Sequence, residues 1–427
     1  MIDCVYNEST EKVSIGKSVS YKGVAMTVKN VKQYAFYKNT FLQDLDLSFE
    51  GTLENNAFQG CTALNSAALG DQIASIGAYA FSGCNALPSL VIPNGVTTIG
   101  GYALQNCNSL KSLGIPQSVT SIGNYAFSGC TSVTNLNLAD RKTDDTELVL
   151  GSNGSSALFA DCPLEEVYIG RNISYSTASY NGYSPFYRNT SLKTVTITDK
   201  ETEISTNEFY GCTNLKNVTI GDGVTTIGDY AFSGCSSLES FSFGMKVETI
   251  GKEAFSDCTA ITKLVSRSTV PPTCGSQALD DVNKFECTLS IPKGSLAAYQ
   301  EAEQWKEFFF TNESTGEEDE PIGDDQCATP TIAMEDGKVV FDCETPGVIY
   351  HYQMNVSGLE ENVGNLVSVP SSCTVTVYAT KDGYKNSAPA SKIFNIRGLK
   401  GDVNGDGQVT ITDAVGVVDI ILNEGKE

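Results

Sequence analysis

Large apolar residues return along this chain at a fixed interval. Phe58, Phe81, Leu104, Phe127, Phe209, Phe232 and Phe255 each stand three residues before a cysteine. Leu64, Leu87, Leu110, Val133, Leu215, Leu238 and Ile261 each stand three residues after one. The cysteines themselves are 23 residues apart, at Cys61, Cys84, Cys107 and Cys130 and again at Cys212, Cys235 and Cys258. The same template recovers Phe36 with Asn39 and Leu42 and Phe186 with Asn189 and Leu192, and in part Phe159 with Cys162 and Glu165, where Leu164 is one residue out of register, so ten units run from Phe36 to Cys258. Each unit also carries short stretches that alternate in polarity. Ser89–Ile92, Ser112–Ile115, Thr194–Ile197 and Asn217–Ile220 read as strands with one buried face, and Val96–Ile99 as a second short strand before an Ile-Gly bend. One such coil cannot bury its own Phe, Leu and Ile. Stacked coils can, which predicts a β-solenoid with a quasi-one-dimensional core.

The pattern changes past residue 310. Residues 311–326 hold seven acidic residues and no basic one, the signature of a solvated, self-repelling linker. Residues 327–397 return to short β-rich runs between turn signals, at Lys338–Phe341, Val348–Tyr352, Thr374–Ala379 and Lys392–Ile396, which predicts a small antiparallel sandwich. The expected organisation is mainly β: an N-terminal β cap (1–30), a solenoid of ten units plus a terminal cap (31–310), the linker (311–326), the sandwich (327–397) and a short tail (398–427).

Composition narrows the chemistry. The 427 residues carry a net charge of −23 with a pI near 4.4, which repels nucleic acid and anionic membranes. No apolar run approaches the length of a membrane-spanning helix. Met1-Ile2-Asp3-Cys4 shows no charged segment followed by an apolar one, so no signal peptide is expected within these residues. The chain has one histidine, His351, inside the strand-like run Val348–Tyr352. Every Ser-His-Asp, Cys-His or multi-His centre would have to use it, so the chain is expected not to be an enzyme. Carboxylate pairs such as Asp44 and Asp46 alternate with Leu45 and Leu47, as on any exposed strand. The cysteine ladder is expected to stay reduced, because equivalent residues of stacked coils point side by side, in poor geometry for a disulfide. Outside the ladder, Cys343 and Cys373 could pair across the sandwich.

The text Ile-Gly-x-Tyr-Ala-Phe-Ser-Gly-Cys, at Ile76–Cys84, Ile122–Cys130 and Ile227–Cys235, resembles the BspA-type leucine-rich-repeat surface proteins of anaerobic bacteria. Val270-Pro271-Pro272-Thr273, Ile291–Ser295, Tyr299 and Trp305-Lys306 look like the closing unit of that family. The resemblance implies a leucine-rich-repeat fold, in which one buried position per coil takes Asn or Cys. It also implies a place outside the cell or on a bacterial surface, and adhesion to protein or glycan partners such as extracellular-matrix proteins. Ala328–Ile332, Thr345–Tyr350 and Val377-Tyr378-Ala379 with Asp382-Gly383-Tyr384 resemble the immunoglobulin-like accessory domain of chitobiase-type hexosaminidases.

Residues 402–413 place oxygen side chains at positions 1, 3, 5, 9 and 12 of a loop with glycine at position 6. That is the spacing of an EF-hand-like calcium loop, because Ca²⁺ takes six or more hard oxygens around a sharp turn. Asp402, Asn404, Asp406, Gln408 (through its carbonyl), Thr410 and Asp413 are the expected ligands of one Ca²⁺ ion. Ala414, Val417, Val418, Ile421 and Leu422 then share one helix face. The text Gly-Asp-Val-Asn-Gly-Asp-Gly-x-Val-Thr-Ile-Thr-Asp is similar to half of a type I dockerin, which implies a cohesin-like partner.

Two places are expected to bind a ligand. The unit spacing widens to 32 residues between Cys130 and Cys162 and to 27 between Cys162 and Asn189. Insertions in solenoids map to loops, and the second holds Tyr175, Tyr180 and Tyr183 among Ser, Asn and Gly. The outward strand face is the other place, with Asn137, Glu166 and Tyr168.

Overall fold

The computed structural model describes residues 10–140, 146–152, 157–175, 184–314, 326–335, 338–357, 372–381 and 387–395. The chain divides into two compact units, residues 1–315 and 316–427. Among the described residues no helix is long and apolar enough to cross a membrane.

The first unit is a parallel β-solenoid. One face carries strands Lys12–Ile15, Asp44–Leu47 and Ser66–Leu69, then the five in-register strands Ser112–Ile115, Asn135–Leu138, Glu166–Ile169, Thr194–Ile197 and Asn217–Ile220, then Ser240–Phe243, Lys263–Ser266, Thr288–Pro292 and Phe310–Ser314. The second face carries shorter strands in two sheets. Seven strands run from Asn30–Val31 to Ile173–Tyr175, and four run from Glu203–Ile204 to Thr273–Cys274. A ladder of turns closes each coil, with the Phe58, Phe81, Phe209 and Phe232 N–H groups each donating to an alanine carbonyl of the next coil at 2.8 Å. The Phe rings stack along the axis between these sides. Centroids lie 5.1 Å apart for Phe36–Phe58 and 5.6 Å for Phe159–Phe186, and Leu104 interrupts the column.

The cysteine ladder has a hydrogen-bonding role as well as a packing one. Each thiol points at the Phe or Leu carbonyl of the coil before it: Cys61 at Phe36 (3.2 Å), Cys130 at Leu104 (3.2 Å), Cys212 at Phe186 (3.3 Å) and Cys258 at Phe232 (3.1 Å). Where asparagine replaces cysteine, the Asn189 amide donates to the Cys162 carbonyl at 2.8 Å and reaches Phe159 O at 3.5 Å. Asn189 thus does what the thiols do, satisfying a buried carbonyl of the preceding coil, whereas Asn39 in the first unit accepts the Phe41 and Leu42 N–H groups with its oxygen. The ladder thiols are free and buried, and burial pushes Cys61 and Cys212 up to about 12, which leaves them unreactive at neutral pH.

Two expectations are corrected here, and one open question is answered. Ser89–Ile92 forms no strand, although Leu90 and Ile92 are buried and Val91 is exposed. In neighbouring coils the residue just before the strand donates its N–H to the coil before, as Thr134 does to Lys111 and Lys111 to Pro88. Pro88 has no N–H to give. The linker begins later than residue 311, because Phe310–Ser314 pairs with Thr288–Pro292 and extends the solenoid sheet. Cys343 is a free thiol whose Sγ donates to the Ala328 carbonyl at 3.1 Å, so it is not joined to Cys373.

In the second unit, Thr331–Glu335 and Lys338–Asp342 form one antiparallel hairpin, and Ile349–Ser357, Ser372–Thr380 and Ala390–Asn395 form a three-stranded antiparallel sheet. Ile332, Val339, Val375 and Val377 make a small core between them. His351 lies on the strand Ile349–Ser357.

Candidate ligand-binding face

The five in-register strands give the candidate site its geometry. Parallel pairing without a shift puts equivalent residues of successive coils side by side. Gly114, Asn137, Tyr168, Thr196 and Thr219 form one outward row, and Asn135, Glu166, Thr194 and Asn217 another. The alternate residues, Leu136, Leu138, Val167, Ile169, Val195 and Ile197, are buried. Of the residues expected to bind a ligand, Asn137, Glu166 and Tyr168 therefore come together.

Their side chains are set by neighbours. The Asn135 amide donates to Glu166 Oε2 at 2.6 Å and accepts from the Thr134 hydroxyl at 2.8 Å. The Tyr168 hydroxyl lies 3.0 and 3.1 Å from the two oxygens of Asp140. Burial, and then the hydrogen bond to Asp140, raise the Tyr168 phenol above its usual value, so its proton stays in place. Gly114 supplies depth, since a Cβ there would meet nothing within 4 Å. The result is a shallow groove of about 410 Å³ with Asn135, Asn137, Glu166, Tyr168 and Thr196 among its walls. Its chemistry is hydrogen bonding plus one aromatic face. A larger depression of about 760 Å³ lies at the bends around Lys29, Glu50, Asp71 and Gly95. Volume does not favour that one, because the smaller groove holds the polar groups already oriented by partners.

The other expected residues fall elsewhere. Tyr175 is not an exposed loop residue. It pairs in register with Leu150 on the second face and packs against the core, with its hydroxyl buried beside Glu208 and Ser205. It occupies the position that Ile122 and Leu150 fill in earlier coils, so it cannot act with Glu166 on one ligand. Tyr180 and Tyr183 lie outside the described residues, as do the calcium-loop residues Asp402, Asn404, Asp406, Gln408, Thr410 and Asp413. Asp140 and Gly114 were not singled out from the sequence. Asp140 follows the end of its strand, where alternation no longer says which way a side chain points.

The turn ladder, the stacked Phe column and the Cys/Asn position agree with one repeat family. The BspA type leucine rich repeat region matches residues 51–184 and 179–294, in six copies, over more than half of the chain. The chain belongs to the BspA-type leucine-rich-repeat family. Among solved structures it is similar to a leucine-rich repeat protein from Bacteroides ovatus ATCC 8483, at 21% identity over 69% of this chain and 90% of that one, with a TM-score of 0.30. It is similar to a leucine rich cell surface protein from Faecalibacterium prausnitzii A2-165, at 18% identity over 72% and 88%, with a TM-score of 0.33. It is also similar to the pneumococcal vaccine antigen PcpA, at 14% identity over 70% and 87%, with a TM-score of 0.26. No curated protein matches the chain.

Proposed function

We propose that this BspA-type chain is a non-catalytic binding protein that works outside a bacterial cell or on its surface, and that it grips a protein or glycan with its open strand face. The observation that supports this reading is the row Asn137–Tyr168–Thr196 beside Asn135–Glu166–Thr194, polar and exposed or half-buried, in which hydrogen bonds hold Asn135 to Glu166 and Tyr168 to Asp140. Repeat folds host many partners, so the site and not the fold carries the reading. An array of glycans and extracellular-matrix proteins should yield a ligand for the whole chain. Tyr168→Ala with Asn137→Ala should then weaken binding about tenfold or more, the scale of truncating a well-placed interface residue. Unchanged affinity, with circular dichroism showing a folded protein, would remove this face from the reading. Turnover of any bound glycan, lost on mutating one carboxylate, would overturn the non-catalytic part.

The tail favours a second reading, a non-catalytic subunit recruited to a polysaccharide-degrading assembly. Its motivation is the dockerin-like text at residues 402–413, with the small β unit of residues 327–397 as an immunoglobulin-like accessory. Asp402, Asn404, Asp406, Gln408, Thr410 and Asp413 would hold one Ca²⁺, and the following helix would offer its apolar face to a cohesin-like partner. Calcium should therefore slow amide exchange at residues 402–422 of the whole chain and leave the solenoid unchanged. Asp402→Ala with Asp406→Ala should abolish that protection. Equal exchange in millimolar calcium and in chelator would remove the calcium loop from the reading.

A further inference from the structure

The five in-register strands repeat along the solenoid axis at the spacing of a parallel sheet, about 4.8 Å. Gly114, Asn137, Tyr168, Thr196 and Thr219 follow one another at that interval. A ligand laid along this row meets a new coil at each step. An extended peptide advances about 3.3 Å per residue and soon falls out of step. A pyranose in an extended β-1,4-linked chain is close to one strand spacing long, so such a chain stays nearly in step from coil to coil.

Tyr168 is placed to receive a sugar ring. Other half-buried tyrosines of the solenoid turn their faces to neighbours. Tyr79, Tyr102 and Tyr125 stack on one another at 4.6 and 4.7 Å, Tyr187 stacks on Tyr210 at 5.0 Å, and Lys252 sits over Tyr230 at 5.5 Å. Among the described residues no ring or cation lies over Tyr168, which has Asn137 and Thr196 on either side of it in the row. Its hydroxyl is held by Asp140, so the ring is fixed before a ligand arrives.

The groups around the ring suit sugar hydroxyls, which need donors and acceptors together. Among the described residues the Asn137 amide, with one of each, has no side-chain partner, and neither have the Thr194 and Thr196 hydroxyls. Glu166 takes the Asn135 amide on Oε2 and keeps Oε1 for a ligand. Charge narrows the class further. Glu166 and Asp140 are both acidic, on a chain of net charge −23. Lys111 and Lys193 stand one residue before their strands, and Lys193 is paired with Glu165 at 3.0 Å. The field that remains opposes sulfated and carboxylated glycans. A folded protein partner would want an apolar centre to its interface, and none of the exposed large hydrophobic residues lies on these five strands.

We propose, resting on the strand face as the ligand-binding surface, that its groove binds a neutral, extended β-1,4-linked polysaccharide. The polymer lies along the solenoid axis with one sugar to each coil. One pyranose packs its C–H face on Tyr168, and hydroxyls meet Asn137, Glu166 and Thr196. Gly114 leaves the room that the chain needs where it passes the first of these strands.

Titration calorimetry of the whole chain with cellohexaose, xylohexaose and mannohexaose distinguishes the sugars, with maltohexaose and a heparin hexasaccharide as controls. At least one of the first three should bind, the two controls should not, and added salt should leave the affinity unchanged. Affinity should rise with chain length up to about five sugars, the number of in-register strands, and then level off. Tyr168→Ala should weaken binding about tenfold or more, and Tyr168→Phe, which keeps the ring, much less. Gly114→Leu fills the groove where an added Cβ meets nothing within 4 Å, so it should block binding while circular dichroism shows an intact fold. Failure of all three β-1,4 hexaoses to bind, equal binding of maltohexaose, or affinity that falls with salt would each overturn the proposal. If an extracellular-matrix protein binds instead and Tyr168→Ala weakens it, the strand face stands as the binding surface and the polysaccharide does not. Sugar binding that ignores both Tyr168→Ala and Gly114→Leu sinks the two together.

Discussion

Replacing Phe232 by alanine should cost the solenoid about 3–5 kcal/mol and split its unfolding into two steps. Phe232 is fully buried and stacked on both sides, 5.4 Å from Phe209 and 5.4 Å from Phe255, with Phe241 edge-on at 5.1 Å. Alanine removes both stacks and leaves a cavity that the neighbouring coils cannot fill, because their backbones are held apart by the turn ladder. That ladder survives, since the Phe232 N–H still reaches the Ala254 carbonyl. The lesion is therefore one of side-chain packing between coils. In a quasi-one-dimensional array such a lesion weakens the coupling between the coils before it and those after it. Phe36→Ala provides the comparison. Phe36 keeps some exposure at 8% and stacks on Phe58, while no coil of the Phe column precedes it. Phe232→Leu should cost no more than about 1.5 kcal/mol, because the volume is nearly kept and Leu104 fills this column position in its own coil. Denaturant titration followed by circular dichroism measures all three. Equal losses for Phe232→Ala and Phe36→Ala would show that stacking between coils contributes little.

The same physics decides what the sequence could reveal. A coil that must match its neighbours repeats its core residues at a fixed interval, so the Phe and Cys positions announced the solenoid without any structure. The Cys/Asn exchange at residue 189 was legible too, because both side chains donate to a carbonyl of the coil before. Strand pairing was less legible than strand alternation. Ser89–Ile92 alternates correctly, yet Pro88 denies it the opening hydrogen bond. Ser66–Leu69 forms a strand through Ala67 and Ala68, residues with little β preference of their own. The candidate face was half visible. Asn137, Glu166 and Tyr168 follow from alternation on adjacent strands, whereas Asp140 lies beyond its strand's end. Tyr175 was misread because the wide spacing around it suggested a loop, while its strand register places it inside.

Trp305→Ala should cost a further amount of the same order, about 3–5 kcal/mol, and should make the protein associate. The last Phe of the column, Phe255, would otherwise leave the end of the core open, and a solenoid needs an end that water can meet. Residues 296–308 supply it. Trp305 is 1% exposed, with Phe243 and Tyr299 each edge-on at 5.5 Å, and its indole N–H donates to the Pro272 carbonyl at 2.8 Å. Gln304 ties the same segment down, donating to Gly275 O at 2.6 Å and accepting from the Leu279 N–H at 2.9 Å. The Tyr299 hydroxyl lies 2.6 Å from Ser266 Oγ. Two contributions can be separated by substitution. Trp305→Phe keeps most of the buried ring and loses the N–H, leaving the Pro272 carbonyl only the long contact from the Cys274 thiol, at a cost of about 1–3 kcal/mol. Trp305→Ala loses both and uncovers Phe243. Trp305 is the one tryptophan of the chain, so circular dichroism must replace fluorescence for both variants. Size-exclusion chromatography should show Trp305→Ala shifting to larger species at concentrations where Trp305→Phe stays with the parent protein. If the two variants lose equal stability and elute together, the indole acts through its hydrogen bond alone, and the end of the core is covered by other residues of the cap.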